Sequence, residues 1–478
     1  MKNIFVFIVT FLLLSTSCKK LQELNVNIKD PTKVPGESIF TAAQRYLSNQ
    51  MVTPNVNLNI FRMFVHHWTE TTYIDEANYD IVTRPIPGNH WNALYRDVLM
   101  NFKESAKVLQ ATGNLPGDDP AVLTNKLAIV EVMTVYAYSV LVETFGNVPY
   151  TEALNPDILL PKYDDGLTIY KDLITRLSAA IAKMDQTQGS FGVSDNMYYG
   201  DVAKWHKFAN SLKLRMGMLL ADVDNTYAAT VVAEAAPNVI TSNADNGLIT
   251  YMSSQPNNNP INENLVLSGR NDFVAANTLV DVMNPLNDPR RPLYFTTVGD
   301  PPEFIGGIYG LSNDYAQFSH VAVPITEATF PADLFDLAEV EFLLAEGAER
   351  GFNVGGTAEE HYNAAIRASI IFWGGTEAEA DAYLADPNVA YSTAPGTWKQ
   401  KIGIQKWIAL YNRGFESWTA YRMLDFPVLI PPPDAESVLP LRLTYPTTEQ
   451  TLNGANRAAA AAAIGGDAVA TKLFWDKN

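Results

Sequence analysis

The side chains of this 478-residue chain that could do chemistry are histidines, carboxylates and aromatic rings set in polar loops. His66 and His67, with Glu70 close behind, offer three possible metal ligands. Their spacing is not the His-Glu-x-x-His pattern that sets two imidazoles on one helical face, and no further ligand cluster follows. We read one histidine as core and the other as surface, and assign no metal. Asp80, Asp288 and Asp314 are loop carboxylates that could ligate calcium with backbone carbonyls, but such carboxylates are common and carry no assignment here. Asp/Glu pairs are abundant, yet none comes with a glycosidase motif, and no Gly-rich phosphate loop occurs. The reading is of no catalytic residue and no cofactor, with a surface hydrolase as the weakest alternative.

What remains is aromatic and amide chemistry. The polar loop over 68–91 and the region 251–315 hold rings and amides that no helical stripe claims. Trp68, Tyr73, Tyr79, Asn258, Arg270, Tyr309 and Tyr315 are the candidate ligand-binding residues. Rings of this kind stack on the apolar C–H faces of sugars, whose hydroxyls pair with Asn, Asp and Arg. They also line grooves for peptides, which add backbone hydrogen bonds. Side-chain types alone do not separate the two ligands.

These loops need a scaffold, and its centre is the stretch 336–375. Leu337, Val340, Leu344 and Ala348 recur at helical spacing up to Gly351, and Thr357 with Glu360 forms a capping box for a second helix. This helix–turn–helix cannot bury its apolar face alone and needs stacked neighbours. On its first helix Glu339, Glu346 and Arg350 share one stripe while Glu341 lies nearly opposite. Buried carboxylates require cations, so one of Glu339, Glu341 or Glu346 is expected to pair with an arginine, Arg367, Arg413 and Arg422 being the candidates. Further helices are predicted over 37–51, 91–109, 124–145, 167–184, 202–222 and 398–424. A short one is placed at 279–283, and 458–464 is a short helix or linker. Residues 376–395 read mainly as loop, with Thr376 and Glu379 able to cap a short helix.

The fold class that follows is mostly α. A tetratricopeptide-like scaffold of helix pairs over about 36–240 and 332–426 supports a loop-rich ligand sub-domain over about 241–331 and 376–397. A loop-like tail covers 427–478.

The chain is acidic, with a net charge of −18. That disfavours nucleic acid or anionic lipid as a partner. Lys2 precedes an apolar run over 4–14 that is too short to span a bilayer, and Leu14-Ser15-Thr16-Ser17-Cys18 follows, ending in the only cysteine. This looks like a lipoprotein signal peptide over 1–17, with lipidation expected on Cys18 and a tether over 18–35. Acyl chains anchor a protein to a membrane without crossing it.

Several motifs in order carry a resemblance. They include Asn27…Asp30-Pro31-Thr32…Val34-Pro35, Trp91…Tyr95, Gly146-Asn147-Val148-Pro149-Tyr150 and Trp205…Phe208-Ala209-Asn210-Ser211-Leu212-Lys213-Leu214-Arg215. Asp288-Pro289-Arg290, Gly307…Gly310 and Ala338-Glu339-Val340-Glu341-Phe342-Leu343-Leu344-Ala345-Glu346 continue it. Gln405-Lys406-Trp407-Ile408-Ala409-Leu410, Glu416…Trp418…Arg422, Arg442…Tyr445-Pro446 and Trp475-Asp476 complete it. Together they resemble the SusD/RagB family of outer-membrane lipoproteins of Bacteroidota-type bacteria, in particular its second SusD-like branch. The resemblance implies four tetratricopeptide-like helix pairs and a SusC-like TonB-dependent barrel transporter as partner. It also implies capture of oligosaccharides, or of peptides in the RagB type, by a lipid-anchored, surface-exposed protein. Lys19-Lys20 depart from the acidic residues that follow the cysteine in many surface-exposed relatives.

Overall fold

The computed structural model describes residues 34–477. The signal segment, Cys18 and most of the tether lie outside the described residues. Helix α1 (Gly36–Val52) packs on α2 (Met100–Thr112), which is entered through a short helix at Ile86–Asn92 and a π-helical turn at Ala93–Leu99. Helix α3 (Pro120–Phe145) pairs with α4 (Gly166–Ile181), and α5 (Val202–Leu219) with α6 (Asn225–Ala235). The central pair is α7 (Leu337–Glu349) and α8 (Ala358–Phe372), followed by α9 (Glu377–Leu384), α10 (Trp398–Ala409) and α11 (Gly414–Leu424).

Most of these starts are fixed locally. Asp119, Asp165, Asp201, Asp224 and Asp336 each accept a backbone N–H of the first turn. Capping boxes close the starts of α8, α9 and α10, at Thr357/Glu360, Thr376/Glu379 and Thr397/Gln400. The α9 box shows that part of the predicted 376–395 loop is helical. Helix α6 and a short helix at Thr447–Leu452 have no predicted counterpart. Helix α3 departs from its predicted stripe. It is long and apolar enough to cross a membrane, yet nearly every residue from Ala128 on is buried because other helices enclose it on all sides.

The predicted continuous helix over 398–424 breaks at Asn412, whose backbone is left-handed (φ 68°). The break has a use. Arg413 beside it reaches α7, where its Nη2 lies 2.5 Å from Glu339 Oε2. Arg215 of α5 grips the same carboxylate from the other side, through contacts of 2.7 and 2.8 Å. Burial alone would raise the Glu339 pKa, but the two guanidinium groups outweigh it and hold it at about 2. Arg215 was not among the expected partners.

The other expected pairings are corrected. Glu346 bonds Arg350 one turn on, and Glu341 bonds His361 at 2.7 Å rather than an arginine. Arg367 reaches forward to Glu377 and Asp381 at the surface. Arg422 packs its guanidinium over Trp418 and donates to the carbonyls of Glu143 and Leu441, an arrangement of stacking and hydrogen bonds with no partner on α7. Beside Arg413 lies a small, partly open cavity of about 20 Å³, with Asp333, Asp336 and Glu416 in its lining and room for one water.

Between α6 and α7 the chain makes only short elements, and of the three two-stranded ladders among the described residues the one pairing 68–70 with 273–275 stitches this region to the scaffold. Numbered along the chain, β1 is Trp68–Glu70, β2 Val148–Pro149, β3 Tyr163–Asp164, β4 Gly247–Ile249, β5 Phe273–Ala275 and β6 Ala332–Phe335. They pair antiparallel as β1 with β5, β2 with β3 and β4 with β6. A wholly buried ion pair, Asp288–Arg290 at 2.6 Å, ties this region to the scaffold. Arg290 also donates to Ser369 of α8 and Gln405 of α10.

Candidate ligand-binding site

The β1–β5 ladder sets the register of the site, with Thr69 opposite Val274 and Glu70 opposite Phe273. Just past β1, the Thr71 N–H donates to the Asp272 carbonyl (2.9 Å) and its hydroxyl to the Asn271 carbonyl (2.7 Å). The Thr71 carbonyl accepts from the Asn313 N–H and the Ser312 hydroxyl. Three loops that are distant in sequence therefore converge at one threonine. Gly310 makes the third loop possible. Its backbone is left-handed (φ 78°), and a Cβ there would sit 2.3 Å from Pro432.

Three of the seven predicted residues emerge on these loops. Tyr73 has left-handed backbone (φ 56°), uncommon for a bulky residue, and is 68% exposed. Arg270 is exposed and pairs with Asp272 at 2.7 Å. Tyr315 is half-buried, its ring stacked on His320 at 3.7 Å and 7°. His320 Nε2–H donates to the Tyr315 carbonyl, and its backbone N–H donates to Thr296 Oγ1, so the platform is braced from behind. Arg270, Asn271, Asp272, Tyr315 and His320 line a depression of about 180 Å³. It offers a fixed ring face, a guanidinium, an amide and one carboxylate already paired. That set can bind a polar ring with an apolar face, and it places no second carboxylate for acid–base work.

The other four candidates are core, which corrects the expectation. Trp68 is fully buried and donates its indole N–H to the Tyr411 hydroxyl. Tyr309 donates to the Met63 carbonyl, and its ring lies 3.5 Å from His66. Tyr79 hydrogen-bonds His66 Nε2 at 2.7 Å. Asn258 is buried against Asn262. Both histidines are buried, not one, and burial lowers each pKa to about 3, so they are neutral hydrogen-bonding groups. The physical reason is common to all of them. A ring outside a helix can still fill the core when its loop is threaded between elements, and helical periodicity does not register that. Asp80 and Asp314 cap their own turns, and Asp288 serves Arg290, so the structure does not bring these three carboxylates together.

Asn271, Asp272 and His320 were not foreseen. The first two adjoin Arg270 and were within reach of a local reading, whereas the His320 stack exists only in three dimensions.

A family signature, SusD-like, described as starch-binding and associating with the outer membrane, matches residues 28–446. No curated protein sequence matches the chain. Among solved structures, one described as a chitin-binding protein is similar at TM-score 0.81 and 26% identity, over 93% of this chain and 100% of that one. A chitin-binding SusD homolog from Flavobacterium johnsoniae is similar at TM-score 0.78 and 25% identity, over 92% and 99%. A SusD-like protein from Bacteroides thetaiotaomicron is similar at TM-score 0.76 and 25% identity, over 93% and 99%.

Proposed function

The chain belongs to the SusD-like family, and from that premise we propose that it is an outer-membrane lipoprotein that captures oligosaccharides and passes them to a SusC-like TonB-dependent transporter. The observation that carries the reading is the meeting of Arg270 and Tyr315 in one solvent-open depression, with Tyr315 held flat by His320 and exposed Tyr73 on the loop that Thr71 joins to it. The family description and the two chitin-binding relatives support a glycan over a peptide, and binding over hydrolysis.

One stacked ring contributes about 0.5–1.5 kcal/mol, so Tyr315→Ala and Tyr73→Ala are each expected to weaken glycan binding by about 2–12-fold. Calorimetry with chitohexaose and maltoheptaose checks this, with chromatography of the mixture expected to show no cleavage product. Binding of peptides but of neither sugar would overturn the reading, as would folded variants that bind like the parent.

Anchoring rests on Cys18, outside the described residues. Cys18→Ala is expected to move the protein from the outer-membrane fraction to the soluble one. Retention in the membrane would exclude the lipid anchor.

A further inference from the structure

The described residues contain two π-helical stretches, Ala93–Leu99 and Glu263–Leu267, and both border the same cleft. A π turn is rare and is frequently found at functional sites. Two from segments about 170 residues apart in sequence meeting at one hollow are an observation independent of the Tyr315 face. The cleft holds about 420 Å³, more than the Tyr315 depression.

Its lining suits a neutral polar ligand. Tyr46 projects at the edge, 39% exposed, with the Arg45 guanidinium 5.4 Å from its ring centre. Three lining amides commit one end to the protein. Asn49 Oδ1 accepts from the Tyr251 hydroxyl, Asn89 Nδ2 donates to the Asn57 carbonyl, and Asn264 Nδ2 donates to the Pro260 carbonyl. Asn49 Nδ2 and the Oδ1 atoms of Asn89 and Asn264 thus have no partner among the described residues, and exposed Asn92 adds a whole amide. The cleft thus offers both donors and acceptors, the two kinds of partner that hydroxyl and acetamido groups use. Of the charged lining, Arg96 grips Asp97 through two bonds of 2.7 and 2.8 Å, and Glu263 Oε1 accepts from the Gln255 side-chain amide at 3.0 Å.

The two hollows share a wall. Pro260, Glu263 and Asn264 face the amide cleft, while Leu265, Val266 and Arg270 face the Tyr315 depression. Val266 and Leu267 of this segment are exposed. We propose that the amide cleft is a second sugar subsite, and that one neutral oligosaccharide lies across the 260–267 ridge with a segment in each hollow. This rests on the glycan-binding reading and adds to it a preference for ligands long enough to cross a helical turn about 10–12 Å wide.

The test compares diacetylchitobiose with chitohexaose, and maltose with maltoheptaose, on the full chain by calorimetry. The parent is expected to bind each long sugar at least tenfold more tightly than its short partner, since the second contact is intramolecular. Tyr46→Ala and Asn92→Ala, both at exposed positions, are each expected to weaken long-sugar binding by about 2–10-fold and to shrink the long-to-short ratio. If Tyr315→Ala weakens binding while folded Tyr46→Ala and Asn92→Ala leave long-sugar affinity within twofold, the second subsite is refuted and the glycan reading stands. If the parent binds none of the four sugars, the glycan reading itself fails, and the second subsite with it.

Discussion

Replacing Glu339 by alanine is expected to lower stability by about 3–5 kcal/mol, because it strands two buried guanidinium groups, Arg215 and Arg413, around an empty site. Both arginines would keep the Leu334 carbonyl as a neutral acceptor, and Arg413 would keep Asp336 at 3.2 Å, so the loss is large without being total. Glu339→Gln preserves the shape and removes the charge, and should cost most of the same amount. Urea unfolding followed by far-UV circular dichroism measures both, and a loss under 1 kcal/mol for the alanine variant would mean the cluster is not structural.

The same pair predicts a pH signature. The folded pKa of Glu339, about 2, lies below the ordinary carboxylate value of 4.5. Its contribution is therefore fully present above pH 4.5 and is lost as pH falls from 4.5 toward 2, by about 3 kcal/mol at 1.36 kcal/mol per unit. Glu143 works in the opposite direction. Burial raises its pKa to about 7, so its neutral form favours the fold, and that advantage fades as pH rises from 4.5 to 7. The Glu339 signal is thus read below pH 4.5, where the parent should lose stability more steeply than Glu339→Gln.

Asp288→Ala is expected to cost a similar 3–5 kcal/mol, with a different pattern of damage. Asp288 and Arg290 are both inaccessible to solvent, and removing the carboxylate leaves the guanidinium with only the neutral oxygens of Ser369 and Gln405. These contacts join the irregular region to α8 and α10, so the variant should show faster amide exchange and proteolysis over 241–331 than over α3 or α5. Replacing the pair together, Asp288→Ala with Arg290→Met, should recover part of the loss because no charge is then buried alone. A double variant worse than either single change would contradict this account of the pair.

Local order determined much of the scaffold. Asp201 before Val202, Thr357 with Glu360 and Thr376 with Glu379 cap helices because a side chain and the N–H it accepts lie within three residues of each other. The stripes of α4 and α5 were legible for the same reason, as was the need for a cation beside the α7 carboxylates. Of the two cations found there, Arg413 is one of the three arginines named from the sequence, and Arg215 is not. Arg215 stands 124 residues from Glu339, and Arg413 faces it only because the chain turns left-handed at Asn412. The site divides along the same line. Tyr73, Tyr315, Tyr79 and Tyr309 are one residue type in polar surroundings, and nothing within a few residues separates the first two from the last two. The β1–β5 register and the junction at Thr71 do so, pressing Tyr79 and Tyr309 against His66 while Tyr73 and Tyr315 stay at the solvent boundary. Burial of a ring is decided by what packs over it, and for Tyr309 those partners include Met63, 246 residues away.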